Sequence, residues 1–234
     1  MSGNDKKKSA GVMIVTGASR GIGADGVLGI IDDDRVAGGT ARAIQADVAS
    51  EADVIRLFNE ADRMGRLSAL VNNAAITGPL GRLEALPDAA LRRVLEVNVA
   101  GAIRCAREAV RRMSTRAGGA GGGIVNISSR AALLGSPGEW VHYAASKGAI
   151  ETMTVGLARE VAAEGIRVNA VALGLIATGM HAASGLPDRI EQMAPTIPMQ
   201  RAGTPEEAAA GVLWLLSPAA AYVTGAIIPV AGGR

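Results

Sequence analysis

Aromatic side chains are scarce in this chain: one Phe, two Trp and two Tyr among 234 residues. Its core must therefore be built from Ala, Val, Leu and Ile, which suits close packing of helices on a sheet. Cysteine is scarcer still. Cys105 stands alone, which excludes an internal disulfide and fits a reducing cytoplasmic compartment. It reads as a packed thiol on a helix over 101–113, with a reactive thiol as the alternative. The two histidines, His142 and His181, have no cysteine or paired carboxylates near them in sequence, which argues against a metal site. No apolar run approaches the ~20 residues that span a bilayer. Residues 1–10, MSGNDKKKSA, lack the apolar stretch of a signal peptide and read as a disordered, solvated tail. The net charge is only +2 and no basic patch interleaves with aromatics, so neither a membrane nor a nucleic acid is expected as partner.

What is present is an alternation of short β-branched runs with helical patterns. VMIV (12–15), RAIQAD (42–47), SALVNNA (68–74), GIVNISS (123–129), IRVNAVA (166–172) and AIIPV (226–230) read as strands buried on both faces. Helical patterns cover 51–64, 84–113, 143–164 and 204–216, the last opened by Thr204 and Pro205 with Glu206 and Glu207 in its first turn. The order predicts an α/β fold: a doubly wound parallel sheet forming one Rossmann-like domain over 11–234. AGGAGGG (117–123) reads as a loop before a strand.

Three groups of residues carry chemistry. TGASRGIG (16–23) follows the first strand and places Gly17, Gly21 and Gly23 where a backbone must turn tightly against a pyrophosphate at a helix N-terminus. Its spacing, G-x-x-x-G-x-G, is a variant of the usual dinucleotide fingerprint. Arg20 suits a 2′-phosphate, or else simply faces solvent. The second group is Tyr143 and Lys147, one helical turn apart and on one face. A nearby ammonium lowers a phenol's pKa and makes Tyr143 a candidate general acid/base; an ordinary surface pair is the plain alternative. Third, Ser128 and Ser129 end a strand at the sheet edge where open α/β sheets bind ligands. Asn98, polar within VLEVNVAG, either caps or kinks its helix or holds a proton-relaying water.

In their order and spacing TGASRGIG, Asp47–Val48, NNAA (72–75), NVAG (98–101), ISS (127–129), YAASK (143–147) and VTGAIIPVAGG (223–233) resemble the classical short-chain dehydrogenase/reductase family over nearly the whole chain. The resemblance implies an NAD(P)-dependent oxidoreductase that interconverts a secondary alcohol and a ketone. It implies a catalytic tetrad of Asn98, Ser129, Tyr143 and Lys147, with Lys147 also on the nicotinamide ribose. Hydride would pass between nicotinamide C4 and the substrate carbon. Coenzyme contacts would come from Gly17, Ser19, Arg20, Gly21, Ile22 and Gly23, from Asp47 and Val48 at the adenine, and from Asn73, Ala74 and Ala75 at the adenosine ribose. Gly174, Ile176 and Thr178 would hold the nicotinamide side. NADP is expected through Arg20, with NAD possible. A homotetramer is implied, with the 84–113 and 143–164 helices and the last strand at its interfaces. The GSPGEWVHYAASKGAI stretch with IPMQRAGTPEEAA is similar to a bacterial sugar or glucose dehydrogenase-like subgroup.

The chain also departs from that family. Only 23 residues (24–46) separate Gly23 from Asp47, where a helix, a strand and a second helix need roughly 40. Either an αβα piece is deleted or residues are missing from the chain as written, the second reading being preferred. Asp32 could be a ribose-binding acid but comes too soon; Asp32 to Asp34 read as a solvated run. Ser129 lies fourteen residues before Tyr143, one more than usual, which points to an insertion. Ala75 replaces a glycine, its methyl expected to crowd the adenosine-side ribose without blocking binding, and Leu173 replaces a proline, which predicts a looser nicotinamide loop and weaker cofactor binding. His142 is expected at the surface or an interface, Trp140 at the pocket entrance or a subunit contact, and His181 in a segment (176–200) that covers substrate. The rival reading is a non-catalytic or inactive dinucleotide-binding member. A reductase of acyl-carrier-protein thioesters would differ only in substrate and would need basic residues near the pocket mouth.

Overall fold

A computed structural model describes residues 11–18 and 41–234. Among them, β1 (Val12–Val15), β2 (Leu67–Asn72), β3 (Gly122–Ser129), β4 (Ile166–Leu173) and β5 (Ile227–Val230) form one parallel sheet in the order β1-β2-β3-β4-β5. The helices are α1 (Glu51–Met64), α2 (Asp88–Leu95), α3 (Ala102–Met113), α4 (Ala131–Leu134), α5 (Val141–Val161), α6 (Met180–Ala183), α7 (Arg189–Met193) and α8 (Pro205–Leu216).

Both faces of the sheet are covered, as continuous apolar strands require. On one face Val54, Phe58 and Ala61 of α1, Cys105, Ala109 and Met113 of α3, and Ala158 and Val161 of α5 pack on Leu70, Ile124 and Val168. On the other, Ala208, Ala209, Val212 and Leu215 of α8 pack on Val71, Val125, Ile127 and Val171. Alanines let α8 lie close to the sheet, which compensates for the shortage of large side chains. Cys105 is fully buried, and burial pushes its thiol up to about 12, so it is a packing residue.

Helix ends follow local chemistry. Ser50 caps α1 by accepting from the Asp53 N–H. Thr204 and Glu207 form a reciprocal capping box at α8, with Pro205 in its first turn.

Two expectations are corrected. Residues 42–47 are not a strand: they are irregular and mostly exposed, and make no ladder with a neighbour. A β-branched run becomes a strand only when a partner pairs with it. The 84–113 pattern is not one helix. Pro87, without an N–H, precedes α2 as its cap, and a π turn over Glu96–Gly101 joins α2 to α3. The 143–164 pattern starts earlier, at Val141, and ends in a 3-10 turn over Ala162–Glu164.

Candidate active site

The C-terminal tips of β1 to β4 open onto one cavity of about 690 Å³. Its walls run from Gly17 and Asp47 at one end to Ser129, Tyr143 and Trp140 at the other. This is the edge at which open parallel sheets take ligands.

At the first end, the tips of β1 and β2 are stitched together. The Thr16 hydroxyl accepts from the backbone N–H groups of Asn73 (3.0 Å) and Ala74 (3.1 Å). Asn73 returns its amide to the carbonyls of Thr16 (2.9 Å) and Gly17 (3.2 Å). Gly17 has φ +67°, and a Cβ there would lie 2.8 Å from the Ala74 Cα, so no side chain fits between the two tips. Asp47 accepts from the Ala49 N–H (3.0 Å) and from Arg93 (3.0 Å). The Ala49 bond, helped by Arg93, holds its carboxyl below the ordinary range. Val48 is buried against Gly101, where a Cβ would lie 2.8 Å from its methyl.

At the second end, β3 finishes with two serines that point opposite ways, as strand alternation dictates. Ser128 is buried and turns to α5, donating to Glu151 at 2.8 Å. Ser129 lines the same cavity wall as Tyr143 and accepts from the Ala131 N–H (3.1 Å). Lys147, one turn along α5, is 4% exposed, donates to the Ile127 carbonyl at 2.7 Å and lies 5.6 Å from the Tyr143 ring. Burial pushes the Tyr143 phenol up, and the Ser129 bond opposes that only in part. Burial also pulls the Lys147 ammonium down to about 8. The phenol is thus not lowered, contrary to expectation: loss of water dominates both groups, and the Ser129 hydroxyl alone works against it at the phenol.

Asn98 sits behind this wall rather than on it. Its Oδ1 accepts from the Ile76 N–H (2.9 Å), and its Nδ2 donates to the Ile76 carbonyl (2.8 Å) and to Ser146 (3.0 Å). The π turn aims Asn98 at Ile76, and Ser146 lies on α5 between Tyr143 and Lys147. Asn98 therefore ties the β2 exit to the helix that carries the phenol.

Gly174, Ile176 and Thr178 line the cavity beyond β4. A Cβ on Gly174 would lie 2.7 Å from the Ala231 Cα, which fixes the approach of the two segments. Leu173 ends β4 buried, its carbonyl accepting from the Arg130 N–H (2.8 Å), and Gly174 donates to Val230 (3.0 Å). Backbone bonds between Gly203 and Leu175 and between Ala177 and Gly203 hold the following residues, so the leucine stands in a tethered segment.

All coenzyme candidates in the described residues therefore meet at one cavity: Gly17, Asp47, Val48, Asn73, Ala74, Ala75, Tyr143, Lys147, Gly174, Ile176 and Thr178. Ser19, Arg20, Gly21, Ile22, Gly23 and Asp32 lie outside the described residues, as does the side chain of His181. The close-packed tips around Gly17, the carboxylate of Asp47 and the buried ammonium near Ser129 suit an elongated dinucleotide. His142 corrects another expectation: it is 5% exposed and bonds the Thr77 carbonyl at 2.8 Å. It lies on the buried side of α5 that packs against the β2 exit. Trp140 is buried in the cavity wall. Thr16, Arg130, Arg189 and Arg234 were not singled out from sequence. Only the position of Arg130, directly after Ser129, signals its place.

The described residues bring no three His, Cys, Asp or Glu side chains together, and hold no helix long and apolar enough to cross a membrane.

The fold and cavity define a nucleotide-dependent oxidoreductase, and comparison with known proteins agrees. A family model described as enoyl-(acyl carrier protein) reductase matches residues 31–234. The "uncharacterized oxidoreductase YgfF" of Escherichia coli (strain K12) is 46% identical over 248 residues, covering 95% of this chain and 99% of that protein. Cis-4-hydroxycyclohexanecarboxylate dehydrogenase of Sinomonas cyclohexanicum is 38% identical, with 95% of each chain covered. A crystal structure of a short-chain type dehydrogenase/reductase from Mycobacterium marinum superposes with TM-score 0.84 at 30% identity, covering 94% of this chain and 93% of that one. The chain belongs to the classical short-chain dehydrogenase/reductase family, and is an NAD(P)-dependent enzyme. The aligned span with the Escherichia coli relative, 248 positions, exceeds the 234 residues here, so that relative holds positions this chain lacks.

Proposed function

We propose that this enzyme interconverts a secondary alcohol and a ketone through Asn98, Ser129, Tyr143 and Lys147. The observation that carries the reading is that Ser129, Tyr143 and Lys147 line one wall of the cavity at the strand tips, with Lys147 one turn along α5 from the phenol. When bound, the nicotinamide supplies or accepts hydride at the carbinol carbon. Tyr143 exchanges a proton with the substrate oxygen. Ser129 donates a hydrogen bond to that oxygen and fixes its position. Lys147 donates to the coenzyme ribose. Asn98 holds α5 and the β2 exit in register, and supports the water that refills the proton. Asp47 and Val48 sit where the adenine is bound, and Asn73 to Ala75 along its ribose.

NADP(H) is the proposed coenzyme, on the sequence reading of Arg20, and the assembly a homotetramer, on the family resemblance. A glucose 1-dehydrogenase of Bacillus subtilis is as similar to this chain, at 38% identity, as the cis-4-hydroxycyclohexanecarboxylate dehydrogenase, so the family leaves the substrate open. Calorimetric titration with NADPH and NADH tests the coenzyme, with NADPH expected to bind more tightly. Binding of neither at millimolar concentration would favour a non-catalytic protein of the same fold. Analytical ultracentrifugation tests the tetramer.

A further inference from the structure

We infer that the pocket beside Ser129 and Tyr143 takes an apolar alcohol or ketone with a single oxygen function, an alicyclic or alkyl compound, and disfavours sugars and anions. The inference rests on the proposed alcohol–ketone chemistry for where the reacting oxygen sits, and names the class of molecule that brings it there.

The charged groups at this end of the cavity are matched to one another. Both oxygens of Glu139 accept from Arg189 at 2.7 Å, a bidentate pair, and Arg189 stacks over Trp140 at 5.0 Å. Arg130 donates its Nε at 2.7 Å to a carboxylate oxygen of Arg234, the last residue of the chain. Three guanidiniums thus stand with two carboxylates. The third, on Arg234, lies close enough to Glu139 to help hold that carboxyl low, after the larger effect of Arg189. Its long contact, with the Met193 sulfur at 4.0 Å, is to a residue outside the cavity wall.

The hydroxyls are engaged as well. Thr77 and Ser184 share one bond at 3.0 Å, and Ser136 donates to Glu139 at 3.4 Å. The Trp140 N–H has no acceptor, but it is buried out of reach of solvent. Among the described side chains at this end, the Ser129 and Tyr143 hydroxyls are left for a substrate, and the proposed chemistry uses both on one oxygen.

The rest of the wall is apolar: Ala131, Leu134, Pro137, Trp140, Leu175 and Met180. Leu134 and Met180 are 46% and 42% exposed, and Leu133 next to Leu134 is 72% exposed, so the apolar lining continues onto the rim. Such a wall strips water from what enters. An alkyl ring or chain gains from that, roughly 4-fold in affinity per buried CH₂. A sugar would lose the hydration of a hydroxyl on nearly every carbon with no partner to replace it. A carboxylate would meet guanidiniums already bonded to carboxylates.

The test is calorimetric titration of the free and NADPH-loaded protein with three secondary alcohols on one ring size: 4-ethylcyclohexanol, cis-4-hydroxycyclohexanecarboxylate and myo-inositol. Reduced coenzyme and an alcohol do not react, so the readout is binding alone. 4-Ethylcyclohexanol should bind about 10-fold more tightly than either of the others. Leu134→Asn and Met180→Gln should each cut that preference about 3-fold, with NADPH affinity and thermal midpoint near wild type, since both side chains are close to half exposed. A preferred carboxylate, a preferred inositol, equal binding of all three, binding of none at millimolar concentration, or a preference unmoved by both substitutions would overturn the inference. The wild-type comparison needs no variant, so a substitution that fails to fold does not remove the test. The outcomes separate from those of the proposed reaction. An apolar preference alongside a fully active Tyr143→Phe would sink the tetrad and leave this pocket standing. An inactive Tyr143→Phe with no apolar preference would do the reverse.

Discussion

The two ends of the cavity are built on different physics. Around Tyr143 and Lys147 the polar groups are desolvated and anchored to main chain: Lys147 to Ile127, Asn98 to Ile76, His142 to Thr77. Around Asp47 the contacts are exposed ion pairs with Arg93 and between Asp53 and Arg56, a kind that contributes little and weakens with salt. The end proposed for chemistry holds its polar side chains by buried bonds to main chain, while at the end proposed for adenosine the strand tips are stitched in the same way by Thr16 and Asn73 but the charged groups beyond them meet water and ions. Position matters most where a proton must move, and the outer charges around Asp47 matter least.

Substitutions can sharpen that contrast or break it. The largest effect is expected for Tyr143→Phe, which should lower kcat about 10²–10⁴-fold with coenzyme affinity near wild type. Steady-state kinetics with NADPH binding checks this, and retained turnover would move the proton chemistry elsewhere. Next, Asn98→Ala leaves the Ile76 N–H and carbonyl without partners. It should cost about 3 kcal/mol, read from urea unfolding, and lower kcat more than it raises KM. A change below 1 kcal/mol would mean that the π turn holds itself.

The buried cation offers a pH test of similar size. The pKa of Lys147 falls from 10.5 to about 8 on folding, so between these values the unfolded chain binds more protons than the native state. Native stability is therefore penalised below pH 8 and recovers as pH rises toward 10.5. Relative to Lys147→Met, the wild type should gain on the order of 2–3 kcal/mol across that window. Parallel stability curves for the two proteins would contradict the assignment. The smallest effect belongs to the other end: Arg93→Ala should cost under about 1 kcal/mol, less at high salt, with a few-fold loss of coenzyme affinity. A large loss would erase the distinction between the two ends.

Much of the fold was legible because local signals and tertiary demand agreed. Residues 51–64 are helical to the residue, since Ser50 and the Glu51–Asp53 turn mark the start and apolar spacing fills the rest. The strands that bury both faces declared themselves as apolar runs. Failures came where a partner decides. RAIQAD has strand composition but no neighbour to pair with in the described residues. His142 looked like a surface residue because sequence does not say which side of α5 packs against the β2 exit. The 84–113 pattern was read through Pro87, the one residue in it whose missing N–H signals a helix start, whereas the π turn at Asn98 has no sequence signature beyond a polar residue in an apolar run. The pairing of Tyr143 with Lys147 could be read from helical spacing, and the place of Ser129 beside them from the family resemblance. The meeting of Arg130, Arg189 and Arg234 could not, because these residues are joined only by the way the chain returns.

One local irregularity also governs how this segment tolerates change in length. The six residues Glu96–Gly101 hold one more residue per turn than the helices on either side. Deleting a single residue there would restore ordinary winding and leave α3 facing the sheet much as before, so the seam of Cys105, Ala109 and Met113 should stay packed. What the deletion would lose is the aim of Asn98 at Ile76. Adding a residue in the Gly118–Gly121 loop, where Gly121 bonds back to Met113 and abuts Gly165, should be the less tolerated change in length.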